Sequence, residues 1–201
     1  MSNYRAVLLT FTLILARPAA AQWDVGLELR TTHFRASSHD TSGSSGPTSF
    51  RPGDATTIGL RMNHGIGRAR VDLLASYGKA GLTATGPGLT LTDKTAGQLY
   101  EAEMLVNFQV AGIGSSGAIR AELGPSLHLW KSGDENRTRL GAVTALAYEW
   151  PVTRHFSGAI RLEGILSKSW FDAGDLPPEY ERQVTWRYGV GLGLRYRLTG
   201  G

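Results

Sequence analysis

Residues 188–198 read YGVGLGLRYRL, and two folds compete for this stretch. Gly189, Gly191 and Gly193 suggest a glycine-rich nucleotide loop. That fingerprint needs a further glycine three residues after its second one and a helix behind it, and Leu194 stands where the glycine should be. Meanwhile Tyr188, Val190, Leu192, Leu194, Tyr196 and Leu198 occupy every second position, with only glycine or arginine between them. Alternate residues of a strand share one face. The stretch therefore predicts a strand with one apolar face and one face of glycine and arginine.

The same period of two recurs in eight segments, at about Trp23–Arg35, Thr56–His64, Arg68–Ala80, Gly97–Ala111, Ala118–Lys131, Arg137–Trp150, His155–Phe171 and Val184–Leu198. No helical period stands out after residue 22. The links HGIG, GIGSSG and PVTR, around residues 64–67, 112–117 and 151–154, have the residues of tight turns. The alternate links, 37–55, 81–96, 132–136 and 172–183, are longer on the whole and rich in Ser, Thr, Gly and Pro. Short turns at one end and longer polar loops at the other predict an all-β fold, an eight-stranded antiparallel up-and-down transmembrane β-barrel.

Alternation alone does not distinguish a soluble sandwich or lipocalin from a membrane barrel, because only the direction of the apolar face differs. The aromatic residues separate them. Trp23, Phe108, Tyr148, Trp150, Phe156 and Tyr196 fall at the short-turn end; Tyr77, Tyr100, Trp170, Trp186 and Tyr188 fall at the long-loop end, with Phe34, Trp130 and Phe171. The strand centres between are aliphatic. Two aromatic belts flanking an aliphatic band are what a bilayer selects. The opposite faces carry Glu28, Asp72, Glu101, Glu103, Glu122, Glu149 and Glu163 with Arg30, Arg61, Arg70, Arg120, Arg139, Arg161, Arg187 and Arg195. Every one of these bases is arginine, whose planar fork suits enclosed bidentate pairing with carboxylates. The expectation is a salt-bridge network filling the lumen, since eight strands leave an interior just wide enough for side chains.

At the N-terminus, Arg5 precedes the apolar run AVLLTFTLILA, and Ala19 and Ala21 stand at the −3 and −1 positions before Gln22. This is the pattern of a secretory leader, too short to span a bilayer. The expected organisation is a signal peptide at 1–21 and an outer-membrane barrel domain at 22–201. Two of the 21 Lys/Arg residues, Arg5 and Arg17, lie in the leader, leaving 19 against 17 Asp/Glu. So slight an excess is no footprint for nucleic acid. The absence of cysteine excludes thiolate sites and disulfides.

The signal peptide, eight strands, alternating link lengths and Arg/Glu face resemble the small outer-membrane barrels of the OmpA transmembrane-domain and OmpX type. That resemblance implies insertion by the barrel-assembly machinery, which reads an amphipathic last strand. GLRYRL (Gly193–Leu198) is similar to that signal, although the chain ends LTGG where the family usually places a terminal aromatic. It also implies the outer membrane of a Gram-negative-type bacterium, with outer-membrane lipid and lipopolysaccharide as surroundings.

Catalytic, metal and cofactor sites are not expected. The five histidines lie on separate segments without paired ligand spacing. Glu122, Ser126 and His128 share one face of the fifth strand, a conceivable hydrolase set. Barrel lipid hydrolases, however, place His before Ser, and a lumen site reaches lipid poorly. The expected function is non-enzymatic, structural or surface-interacting through the polar loops. A narrow, porin-like pore is the alternative, and a lipid A-modifying hydrolase the less favoured one.

Overall fold

A computed structural model describes residues 22–35, 38–40, 49–66, 69–114, 116–133, 135–172, 174–176 and 178–198. The expected leader, 1–21, lies outside them. Among the described residues eleven strands follow one another: β1 Gln22–Phe34, β2 Ser38–Asp40, β3 Ser49–Pro52, β4 Ala55–Ile66, β5 Ala69–Gly86, β6 Leu89–Ile113, β7 Gly117–Ser132, β8 Glu135–Pro151, β9 Phe156–Ser167, β10 Tyr180–Arg182 and β11 Thr185–Arg197. The eight long ones pair antiparallel with their chain neighbours, and β1 pairs with β11 from Asp24↔Arg197 to Phe34↔Arg187. The sheet closes into the eight-stranded barrel expected from the alternation.

Its polarity is inside-out. Leu27, Leu123 and Leu192 are 61%, 63% and 57% exposed on the outer face. Arg30, Arg61, Arg161 and Arg187 head the large side chains that are fully buried. A soluble protein almost never encloses its arginines while exposing its leucines. Two clusters of buried apolar side chains stand out among the described residues. Leu105, Val143 and Ile165 form one on the barrel wall, and Phe34, Ala55, Ala80, Leu99 and Trp130 form the other at the loop end.

The links depart from the expected loops. Residues 81–96 are not a loop but the outer part of a β-hairpin, in which β5 and β6 continue past the barrel wall to Gly86↔Leu89. Alternating Thr and Leu favours strand here, and Pro87-Gly88 turns the chain with Gly88 at φ 72°. The ladder shifts register between Ala80 and Leu82 where the ribbon leaves the wall. Within 37–55, β3 pairs with β5, and β2 pairs with β10 from the 172–183 segment, tying the first and last links together. The 132–136 link is a tight turn, with Gly133 at φ 56°. The seventh expected strand ends at Ser167 rather than Phe171.

Candidate functional site

The lumen is the candidate site, because every inward position of the strands meets its counterparts there. On β1 these are Glu28 and Arg30; on β6, Glu101, Glu103 and Asn107; on β9, Arg161 and Glu163. Arg30 donates to Glu103 at 2.6 Å, to Glu163 at 3.0 Å, to Ser76 at 3.1 Å and to Thr57 at 3.3 Å, and it also bonds Glu101. Arg61 donates to Asp72 at 2.8 Å, to Glu28 at 2.9 Å and to Glu122 at 3.2 Å. Arg161 donates to Glu122 at 2.7 Å and to Glu103 at 3.1 Å, and it pairs with Glu163. A five-donor planar fork can share its hydrogen atoms among several carboxylates in this way; a lysine ammonium has only three donors.

The charges are not evenly mixed along the axis. In the middle and toward the loop end, six carboxylates (Glu28, Asp72, Glu101, Glu103, Glu122, Glu163) face four arginines (Arg30, Arg61, Arg161, Arg187). At the turn end, Arg70, Arg120 and Arg195 converge on Glu149, with Arg70 at 2.9 Å. The excess of acid is thus central and the excess of base lies at the turn-end mouth. That mouth is a cavity of about 520 Å³ lined by Asp24, Arg70, Arg120, Glu149, Arg154 and Arg197 among others.

Arg139 belongs elsewhere. It points into the loop-end mouth, where it donates to the Ser169 carbonyl at 2.6 Å and the Trp170 carbonyl at 3.0 Å and pairs with Asp172 at 2.9 Å. Its position near the start of β8 puts it above the network, so it anchors the last link. The Arg139 hydrogen bond holds the Asp172 carboxyl below the usual carboxylate range. On the opposite side of the mouth, partial burial raises the Asp54 carboxyl, but hydrogen bonds from His33 and Arg51 outweigh that and lower it.

The aromatic residues form two kinds of assembly. Trp23, Tyr77, Tyr100, Phe108, Tyr148, Phe156, Trp186, Tyr188 and Tyr196 are exposed on the outer face near its two edges. Trp150, also in the outward phase, is half-buried because its ring lies across Gly158 of β9, where a Cβ would meet the ring at 2.5 Å. Phe34, Trp130 and Phe171, all buried, are corrections to the outer belt, and so is Trp170. It packs inward against Trp130, with ring centroids 6.1 Å apart, because the chain past Ser167 folds over the mouth. Phe34 meets Trp130 at 5.6 Å, and Phe171 meets Trp170 at 4.9 Å and Phe50 at 6.3 Å. These rings cap the lumen at the loop end.

Just beneath the cap, Arg187 lies 5.4 Å from the Phe34 ring centre, and its Nη2 donates to His128 Nε2 at 2.9 Å while also bonding Glu101. Accepting from an arginine requires a lone pair, so this imidazole nitrogen carries no proton. Nor do Glu122, Ser126 and His128 make a nucleophilic set. Glu122 is committed to Arg61 and Arg161, and the Ser126 hydroxyl has no hydrogen-bond partner among the described residues. His128 faces Arg187 instead of Ser126. Ser76, Asn107 and His128 also join the network, and their inward phase is the sequence signal that marks them.

No family model matches the chain, and no curated protein matches it. Solved structures do. Neisserial surface protein A aligns over 87% of this chain and 96% of its own, at 10% identity and a TM-score of 0.55. The N-terminal β-barrel domain of Pseudomonas aeruginosa OprF aligns over 88% and 99%, at 13% identity and a TM-score of 0.44. The attachment invasion locus protein Ail of Yersinia pestis covers the same shares at 9% identity, also with a TM-score of 0.44. The first of these likenesses shows that the fold is shared with a bacterial surface protein.

Proposed function

We propose that the chain is a non-enzymatic outer-membrane barrel of a Gram-negative-type envelope, exported by the leader at 1–21, with residues 22–201 as the inserted domain. Its role is structural and surface-interacting. The turn end faces the periplasm and the loop end faces outward, presenting the 81–96 hairpin and the 37–55 and 172–183 links. The observation that carries this reading is the inverted polarity: aliphatic side chains cover the outside while Arg30, Arg61, Arg161 and Arg187 are enclosed. Only a surrounding low-dielectric solvent makes that distribution favourable. Insertion by the barrel-assembly machinery follows from the same placement.

The crowded ion pairs and the aromatic cap favour a plugged lumen over a pore. Fractionation of the cell envelope, combined with protease treatment of intact cells, tests the placement. The chain should pellet with outer membrane, migrate faster unheated than boiled on a gel, and be cut near Ser44 from outside. A water-soluble mature chain would defeat the proposal. Stable conductance in planar bilayers would replace the plugged lumen with the pore reading.

A further inference from the structure

All four lysines, Lys79, Lys94, Lys131 and Lys168, stand at the loop end of the barrel, and none lies at an inward position of the wall or near the turns. The lumen uses arginine alone. Three of the lysines sit two residues beyond an outward-facing residue: Lys79 beyond Tyr77, Lys131 beyond Leu129, Lys168 beyond Leu166. The period of two therefore runs their aliphatic stems up the outer surface and sets their ammonium groups above the apolar band.

Lys168 has the most developed surroundings. Its backbone N–H donates to the Leu140 carbonyl at 3.2 Å, extending the β8–β9 ladder by one step, and Trp186 on β11 pairs with Leu166 just below. Val184, 62% exposed, lies just before β11, and Arg182 ends β10, where it pairs with Ser38 of β2. Lys168, Val184 and Arg182 belong to the lining of a groove of about 780 Å³ that also holds Arg139, Asp172 and Glu181. Arg139 is engaged with Asp172 and two carbonyls. Neither Lys168 nor Arg182 makes an ion pair among the described residues, and both are exposed. Leu140 beside Lys168, and Leu166 and Trp186 below it, offer an apolar wall. The juxtaposition is a cationic shelf over an aliphatic face, the complement of an amphiphile with a compact anionic head and several chains.

We propose that this groove seats a phosphorylated headgroup of an outer-leaflet glycolipid, with Lys168 and Arg182 contacting a phosphate and the acyl chains lying on Leu140, Leu166, Val184 and Trp186. The inference rests on the outer-membrane placement proposed above. Two strongly donating cations suit a phosphate, lysine as a point charge and arginine as a fork.

The test uses the mature chain folded in detergent and native mass spectrometry with bis-phosphorylated lipid A, its dephosphorylated form, and phosphatidylglycerol. Heat-modifiable gel mobility first establishes that each sample is a folded barrel. Bis-phosphorylated lipid A should be retained at about one per barrel. Retention should fall roughly tenfold or more in the Lys168→Gln/Arg182→Gln double variant and with the dephosphorylated lipid. Lys131→Gln, remote from the groove, should bind like wild type. Equal retention of both lipid A forms, an unaffected double variant, or equal binding of phosphatidylglycerol would each overturn the site. A folded barrel that retains no lipid A sinks this inference alone, whereas a mature chain that stays soluble and does not shift on heating sinks the placement itself.

Discussion

Arg30 lies 3.0 Å from Glu163 although 133 positions separate them in the chain. Closure of the ring brings the first strand beside the last pair, and the arginine then spans the lumen to Glu101 and Glu103 as well. Burial of this many charges is favourable only while each retains its partners, because an uncompensated ion in a low-dielectric interior is costly.

Arg30→Met should therefore destabilise the barrel by about 3–5 kcal/mol, the range for removing one partner of a buried pair. Arg30→Lys should recover only part of that loss, since an ammonium cannot reach all the partners of the guanidinium. Urea unfolding in lipid vesicles measures both. Wild-type stability in Arg30→Met would mean the network contributes nothing.

The outer face should tolerate charge according to depth. Leu192, at the centre of β11, and Leu198, beyond its end, are both more than half exposed. In a bilayer, Leu192→Arg should cost about 2–4 kcal/mol and Leu198→Arg about 0–1 kcal/mol. Equal costs at the two positions, read by the same unfolding assay, would count against a surrounding hydrocarbon layer.

Gly124 is the tightest glycine of the wall. A Cβ there would come within 2.0 Å of the Met104 carbonyl oxygen and 3.0 Å of the Leu105 Cα, both backbone atoms. Regular β6–β7 pairing is interrupted here, between Glu103↔Ser126 and Val106↔Leu123. Gly124→Ala should lower stability by about 1–3 kcal/mol, the usual cost of overpacking. Gly174→Ala, with open space around it, is the matched control; similar unfolding midpoints for the two would refute the steric account.

The Arg139–Asp172 tether should respond to acid. The Asp172 carboxyl is lowered in the folded chain, so its contribution is fully present above the unfolded value of about 3.9 and is lost as pH falls through the lower folded value. Amide exchange around residue 172, corrected for intrinsic rate, should stay slow at pH 5 and speed up below pH 3 (roughly, from that window). Asp172→Asn should flatten this response, and an unchanged pH profile in the variant would remove the carboxylate as its source.

The strand phases were legible because a period of two is a strictly local pattern. Glu28, Arg30 and Arg61 read as one face opposite the apolar one from their immediate neighbours, and the aromatic belts made that face the inner one. Phe34 and Trp130 read as members of the loop-end belt when position along the strand is put before phase; Phe34 is in phase with Arg30 and Trp130 with His128, and phase decides that both are interior. Trp170 carried no such mark, because the alternation stops at Ser167 and the chain then bends over the mouth. Partner identities such as Arg30 with Glu163 depend on ring closure and register, which no local pattern encodes. The 81–96 ribbon was obscured by its Gly and Thr content, although Leu89 and Leu91 alternate with Thr90 and Thr92.

Closure of β1 on β11 also governs the order of assembly. Eleven residue pairs, from Asp24↔Arg197 to Phe34↔Arg187, join the beginning of the described chain to its end. Until the final strand has been synthesised, β1 has one bare edge and the arginines of the interior have no enclosure. Such maximal sequence separation puts the loop-closure entropy ahead of the contacts that offset it. Enclosure of the interior arginines therefore waits for the last strand, which makes it a late event in folding.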